Sequence, residues 1–237
     1  MRTFIIACIF FISGTVNGQQ NGLAKIKDYD LSKIWTSGGS TDIDEPDFFT
    51  TKRPDFRGFI GDNYQRIYIQ IDEVIKDHSD QLTYYVRGYS IVKGNRCTFL
   101  GTIKIDSTEI KERPPLSAIQ GAESLVDMNK VSHFGKAYCT YELFENKNQK
   151  WTGFFKGSLS TKFYLTNENE IKYDAAGGFS DSYMNNTYIG TWTSYSSGNS
   201  KTCNWGEFRI PESGDLDIGA GGFSPNPKYI ENGWKEN

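Results

Sequence analysis

The side chains able to do chemistry in this chain are cysteines, histidines, clustered carboxylates and tryptophans, and their spacing narrows what each could do. Past Cys8 at the amino end, Cys97, Cys139 and Cys203 stand far apart, without the close spacing of a zinc or redox motif and without a partnered histidine. In an oxidising compartment this odd number predicts one disulfide and one leftover thiol, with the pairing open. His78 and His133 fall in separate loop-like segments, so neither a metal centre nor another cofactor is expected.

Asp42, Asp44, Glu45 and Asp47 offer oxygens that calcium accepts, but the Asp-x-Asp-x-Asp-Gly loop and distal glutamate of an EF-hand are missing. A hydrated acidic segment is expected there. Asp215 and Asp217, beside Gly219, allow the same two readings and a third, as the paired carboxylates of a glycoside hydrolase. On a strand the two would point the same way from neighbouring pleats. Neither a Gly-x-Ser-x-Gly nucleophile turn nor a glycine-rich phosphate loop between strand and helix occurs.

Trp192, Tyr195 and Trp205 cluster in the last hairpin of the chain. Core packing is the ordinary use of such rings. At a barrel mouth they would instead stack on a sugar or grip an apolar small molecule, and they are the ligand-binding candidates.

Strands must position these residues. In 66–72, Ile67, Ile69 and Ile71 alternate with polar neighbours, the period of a half-buried strand, and 82–92 reads as the next one after a turn at 77–80. The chain then repeats itself. Phe99-Leu100-Gly101-Thr102-Ile103 recurs as Phe155-Lys156-Gly157-Ser158-Leu159 and more loosely as Trp205-Gly206-Glu207-Phe208, each after a polar turn. Cys97 and Cys203 both stand two residues before the aromatic. Ala176-Gly177-Gly178-Phe179-Ser180 is echoed by Ala220-Gly221-Gly222-Phe223-Ser224, read as glycine bends that let a strand leave the sheet. Only 111–134 breaks the pattern, with Pro114-Pro115 and one short helix expected within 118–130. The predicted fold is mainly β: an antiparallel hairpin meander forming a barrel or a two-layer sandwich.

The amino end has the parts of a secretory signal peptide: Arg2, an apolar run over 4–12, then Ser13, Gly14 and Thr15. Val16 and Gly18 place the cut before Gln19. Apolar residues continue past Cys8, which argues against a lipoprotein cysteine, and the run is too short to stay in a bilayer as an anchor. The expected organisation is a signal peptide at 1–18, an irregular leader at 19–60 that lies across the domain or stays mobile, and a single β-rich domain at 61–237. The destination is periplasmic, cell-surface or extracellular, with no transmembrane segment left after cleavage. Losing Arg2 takes the formal charge from −3 to −4, and no basic run offsets it, so nucleic acid is not an expected partner. Asn185-Asn186-Thr187 is a formal N-glycosylation acceptor.

Tyr188-Ile189-Gly190-Thr191-Trp192-Thr193-Ser194-Tyr195, Cys203 through Pro211, Gly214-Asp215-Leu216-Asp217-Ile218-Gly219 and Gly233-Trp234, with 64–105, resemble a group of uncharacterised exported bacterial proteins. The resemblance implies export and brings no activity. Gly190-x-Trp192 is also similar to the motif of lipocalins and avidin-like barrels, which bind small ligands in a β-cup; in lipocalins it lies on the first strand, here near the carboxyl end. The expected function is binding of a small molecule, a glycan or an envelope partner without catalysis. The competing expectations are hydrolysis of an envelope or extracellular polymer through Asp215 or Asp217, and a structural part in a surface assembly.

Overall fold

The structure, a computed structural model, describes residues 22–41, 52–118, 126–178 and 180–235. The signal segment, the acidic cluster at 42–47 and most of the helix expected at 118–130 lie outside the described residues. At the edge of that last segment a 3₁₀ turn spans Leu116–Ala118.

The strands are β1 (Phe56–Ile60), β2 (Gln65–Lys76), β3 (Thr83–Val92), β4 (Asn95–Glu112), β5 (Val131–Glu145), β6 (Gly153–Thr166), β7 (Ile171–Tyr173), β8 (Asn185–Ser194) and β9 (Ser200–Glu207). They form one antiparallel sheet in the order β5-β4-β3-β2-β1-β9-β8-β6-β7, and a further pairing of β5 with β6 closes it into a ring. The short β7 continues the edge of β6 past the end of β8. Closure selects the barrel over the sandwich, and it removes the open edges that a flat meander of this size would leave.

Period-two patterning drives the assembly. In β2, Ile67, Ile69 and Ile71 are buried in the barrel while Arg66, Tyr68 and Gln70 face out; a bulge between Ile71 and Glu73 shifts the parity so that Val74 turns inward. The three repeated hairpin units deliver their aromatics to one place: Phe99 lies 6.4 Å from Phe155, and Phe155 lies 5.7 Å from Trp205, ring centre to ring centre. Between β3 and β4 the turn is only Lys93-Gly94, both at positive φ (49° and 80°), the conformation that matches strand twist and that glycine adopts without strain. The outer wall carries ion pairs such as Lys156–Glu142 and Arg87–Glu73. Apolar inside and charged outside is the reverse of a barrel whose outer band meets lipid. Among the described residues no helix is long and apolar enough to cross a membrane.

The sheet starts earlier than the sequence pattern indicates, because β1 falls inside the segment read as leader. Its alternation is concealed. Phe56 and Ile60 enter the barrel core, yet Phe59, on the outward face, is also buried, beneath the C-terminal segment with Ile210, Leu216 and Trp234. The other described residues of that segment, 22–41 and 52–55, lie across the barrel. Residues 22–26 are helical, and a one-turn helix α1 (Ser32–Trp35) drives Ile34 and Trp35 into the core. Trp35 Nε1 donates to Thr161 Oγ1 at 2.7 Å, and Lys76 Nζ donates to Lys27 O and Tyr29 O at 2.6 Å each. The leader thus plugs the end of the barrel where β2 ends and β3 begins.

Candidate functional site

The opposite end is open. The turns after β1, β3, β5 and β8 ring a cavity of about 460 Å³, with Ile67, Val92, Cys97 and Phe155 toward the core and Lys93, Trp151 and Lys201 at the rim. An eight-strand ring has an interior just wide enough for side chains or one small ligand.

Glu145, the last residue of β5, is the chemical centre of this mouth. The residue is 4% exposed and lines the cavity. Ser90 Oγ, from β3, donates to Oε1; Gly153 N, at the start of β6, donates to Oε2 at 2.8 Å, and Trp192 Nε1, from β8, to the same oxygen at 2.9 Å. Burial pushes this carboxyl above the ordinary range, and the hydrogen bonds from Ser90, Trp192 and Gly153 pull it back. A carboxylate has about four lone-pair sites, so one further donor can be accepted. Glycine is required at 153 because a Cβ there would stand 2.7 Å from Trp192 Cε2 and 2.1 Å from Thr193 O.

Gln65 lines the same cavity; its Nε2 donates to Asn232 O at 2.8 Å, while its Oε1 is buried without a partner. The Glu145 carboxylate inside, two lysines at the rim and the flanks of Trp151, Trp192 and Phe155 make a pocket suited to a hydroxyl-bearing, partly apolar molecule.

The predicted ligand-binding trio is divided by the fold. Trp192 is half-buried and lines the cavity. Trp205 is fully buried, stacked on Tyr188 with ring centres 4.7 Å apart, and belongs to the core. Tyr195 lies past the end of β8, tilted against Phe154 at 5.9 Å with Lys147 over its ring, and is not part of the cavity wall. The two tryptophans differ in depth because Trp205 sits mid-barrel and Trp192 near a strand end.

The cysteines depart from expectation. Cys97, Cys139 and Cys203 are all buried and free, so the expected disulfide is not formed. The reason is topological: each faces the interior from its own strand, and their register partners are Ser90, Ile105 and Ile60 rather than one another. Burial pushes all three thiols up, Cys139 and Cys203 furthest.

Asp215 and Asp217 are engaged in holding the C-terminal segment. Asp215 binds Lys228 and accepts from Tyr229 Oη at 2.7 Å; Asp217 accepts from Arg209 Nη1 at 2.6 Å and from the amides of Gly219 and Ser224. They face different partners and line no common cavity with the mouth. His78 lies in the turn after β2, and His133, in β5, sits 3.4 Å from Lys25 Nζ of the leader. Asn185, the formal glycosylation acceptor, is buried and bonded to the Lys162 backbone.

Glu145 and Gln65 escape a motif search because each sits where a strand meets a turn. Parity is the signal that would have found Glu145: Cys139, Tyr141, Leu143 and Glu145 occupy alternate positions of one strand, so the glutamate belongs to the inward face. Compared with protein-family models, with curated proteins and with solved structures, the chain matches none.

Proposed function

We propose that this chain is an exported barrel protein that binds a small hydroxyl-bearing molecule, such as a sugar unit, in its open mouth. The observation that carries the reading is a buried carboxylate, Glu145, held by Ser90, Gly153 and Trp192 in the wall of one cavity flanked by Trp192 and Trp151. An acceptor in the wall calls for a donor on the ligand, and indole faces favour the apolar flank of a sugar ring. One plugged end and one open end give a single route of entry. Export rests on the signal-like amino terminus.

The test is a thermal-shift and tryptophan-fluorescence screen of the purified protein against neutral monosaccharides, short oligosaccharides and polyols. A binder is expected to raise the midpoint and to change the emission, and its affinity should fall at least tenfold in Trp192→Ala and in Glu145→Gln. A screen in which no such compound shifts the midpoint, or a hit whose affinity ignores both substitutions, overturns the reading.

A further inference from the structure

A second concave site lies on the outer wall, away from the mouth. The β1–β2 register pairs Arg57 with Tyr68 and Phe59 with Arg66, so Arg57 and Arg66 stand diagonally on the same outward face. Each guanidinium rests on an aromatic ring: the Arg57 Cζ is 5.5 Å from the Phe223 centroid, and that of Arg66 is 5.2 Å from Trp234 and 4.3 Å from Tyr68. Cation–π contact fixes the guanidinium planes without using their N–H groups.

Those N–H groups are largely uncommitted. Arg66 gives Nη1 to Gly233 O at 3.3 Å; among the described residues the Arg57 guanidinium donates no hydrogen bond. With five donors on each guanidinium, most remain available. Between them lies a cavity of about 340 Å³, lined also by Phe223, Ser224, Trp234 and Lys235, with no carboxylate among the described residues of its wall. The acids whose fields reach Arg57 are Asp55 and Asp217, and Asp217 is already taken up by Arg209 and two amides. Burial, and then the positive field of Arg66, disfavour the charge on Arg57.

Folding has therefore placed two guanidiniums and an ammonium around one hollow, and among the described residues the carboxylates that act on Arg57, Asp55 and Asp217, stand outside its lining. In the bare protein that is an unfavourable arrangement, and an oxyanion accepting from both guanidiniums would relieve it. We propose that this outer pocket is an oxyanion-binding site, taking a carboxylate, sulfate or phosphate group as a free ion or as the charged group of an acidic sugar. The alternative is that the arginines only clamp the C-terminal segment to the barrel through Phe223 and Trp234.

The experiment is isothermal titration of the purified protein, at matched ionic strength, with inorganic sulfate, inorganic phosphate and glucuronate, and with glucose to measure binding at the mouth separately. Saturable one-to-one binding of at least one oxyanion is expected, weakening as sodium chloride rises. Affinity should fall at least tenfold in the Arg57→Gln, Arg66→Gln double variant and stay unchanged in Trp192→Ala, which separates this site from the mouth. Glucuronate binding more tightly than the inorganic ions identifies an acidic sugar as the source, and the reverse order a free anion. If no oxyanion binds, or if the double variant binds within twofold of the unaltered protein, the site is a clamp and the proposal fails. Should the double variant not fold, sulfate titration of the unaltered protein by nuclear magnetic resonance decides the matter: shifts must centre on the Ser224 amide and the Trp234 indole, and shifts elsewhere or none overturn it.

Discussion

Trp192 Nε1 and Glu145 Oε2 meet at 2.9 Å at the mouth of the barrel, tying the end of the last hairpin's first strand to the end of β5. The indole therefore reports on the carboxyl. Burial raises the Glu145 carboxyl, so its ionisation falls above the usual carboxylate range. Tryptophan emission is expected to change with pH in that interval, and both Glu145→Gln and Trp192→Phe should flatten the change. The sign for stability follows from the same shift. A carboxyl raised in the folded state contributes fully below its unfolded value, and the contribution fades as pH climbs through the folded one. Urea denaturation at successive pH values should show Glu145→Gln losing that decline; an identical profile in the variant would sink the assignment.

At the plugged end the second inward glutamate has a different task. Arg53 Nη1 lies 3.0 Å from Glu207 Oε1 with both side chains fully buried, and Asn186 Nδ2 gives Oε2 a further bond at 3.0 Å. Arg53 also binds the backbone oxygens of Lys33, Ile34 and Thr36, so it latches α1 into the barrel. Removing one partner of such a pair costs about 3–5 kcal/mol. Arg53→Met should lower unfolding free energy by about that amount at pH 8. Burial pushes the Glu207 carboxyl up to about 7 against the partial offset of Arg53, from an ordinary value of 4.5. Its contribution is thus complete below about 4.5 and lost as pH rises through about 7. Without Arg53 the carboxyl is neutral over a wider range, so the cost of Arg53→Met should shrink on moving from pH 8 to pH 5; equal costs at both would contradict the buried pair.

The two hairpin tryptophans separate stability from binding. Trp205 is packed against Tyr188, Tyr141 and Phe155 in the core, and its replacement by alanine leaves a cavity costing about 3–5 kcal/mol. Trp192→Ala removes a half-buried side chain and one donor to Glu145, and a smaller loss of about 1–2 kcal/mol is expected. Chemical denaturation of both variants measures this difference directly. A Trp205→Ala protein as stable as the parent would mean that the ring is not in the core.

Much of this architecture is legible in the residues. Alternation in Ile67, Ile69 and Ile71 and the three aromatic-led repeats give the meander, and ring closure follows from having enough strands to curl. What stays hidden depends on partners distant in sequence. β1 is obscured because Phe59 is covered by a segment some 150 residues later that buries Ile210, Leu216 and Trp234 with it. Cysteine count and compartment argue for a disulfide, but only strand positions reveal that the three thiols never face one another. Trp192 and Trp205 have the same composition and nearly the same neighbourhood in sequence; their depth along the barrel axis sets their roles apart. Parity alone marks Glu145 as inward, but a charged residue beside Asn146 also has the pattern of a turn.

The free thiols give the last expectation. Cys97 lines the mouth, with Asn95 Nδ2 3.1 Å from its sulfur, whereas Cys139 and Cys203 are enclosed by the barrel. Only thiolate reacts with alkylating reagents, and burial raises all three thiols, so labelling of the folded protein should be slow throughout. Cys97 is expected to react first, because the mouth gives the reagent a path and Asn95 offsets part of the rise. Cys139 and Cys203 should label only as fast as the barrel unfolds, and their rates should climb together with denaturant. Peptide mapping by mass spectrometry after timed alkylation, without reduction, checks the order. Finding Cys139 or Cys203 labelled ahead of Cys97, or any two of the three joined in a disulfide, would contradict the interior placement that the strand register gives them.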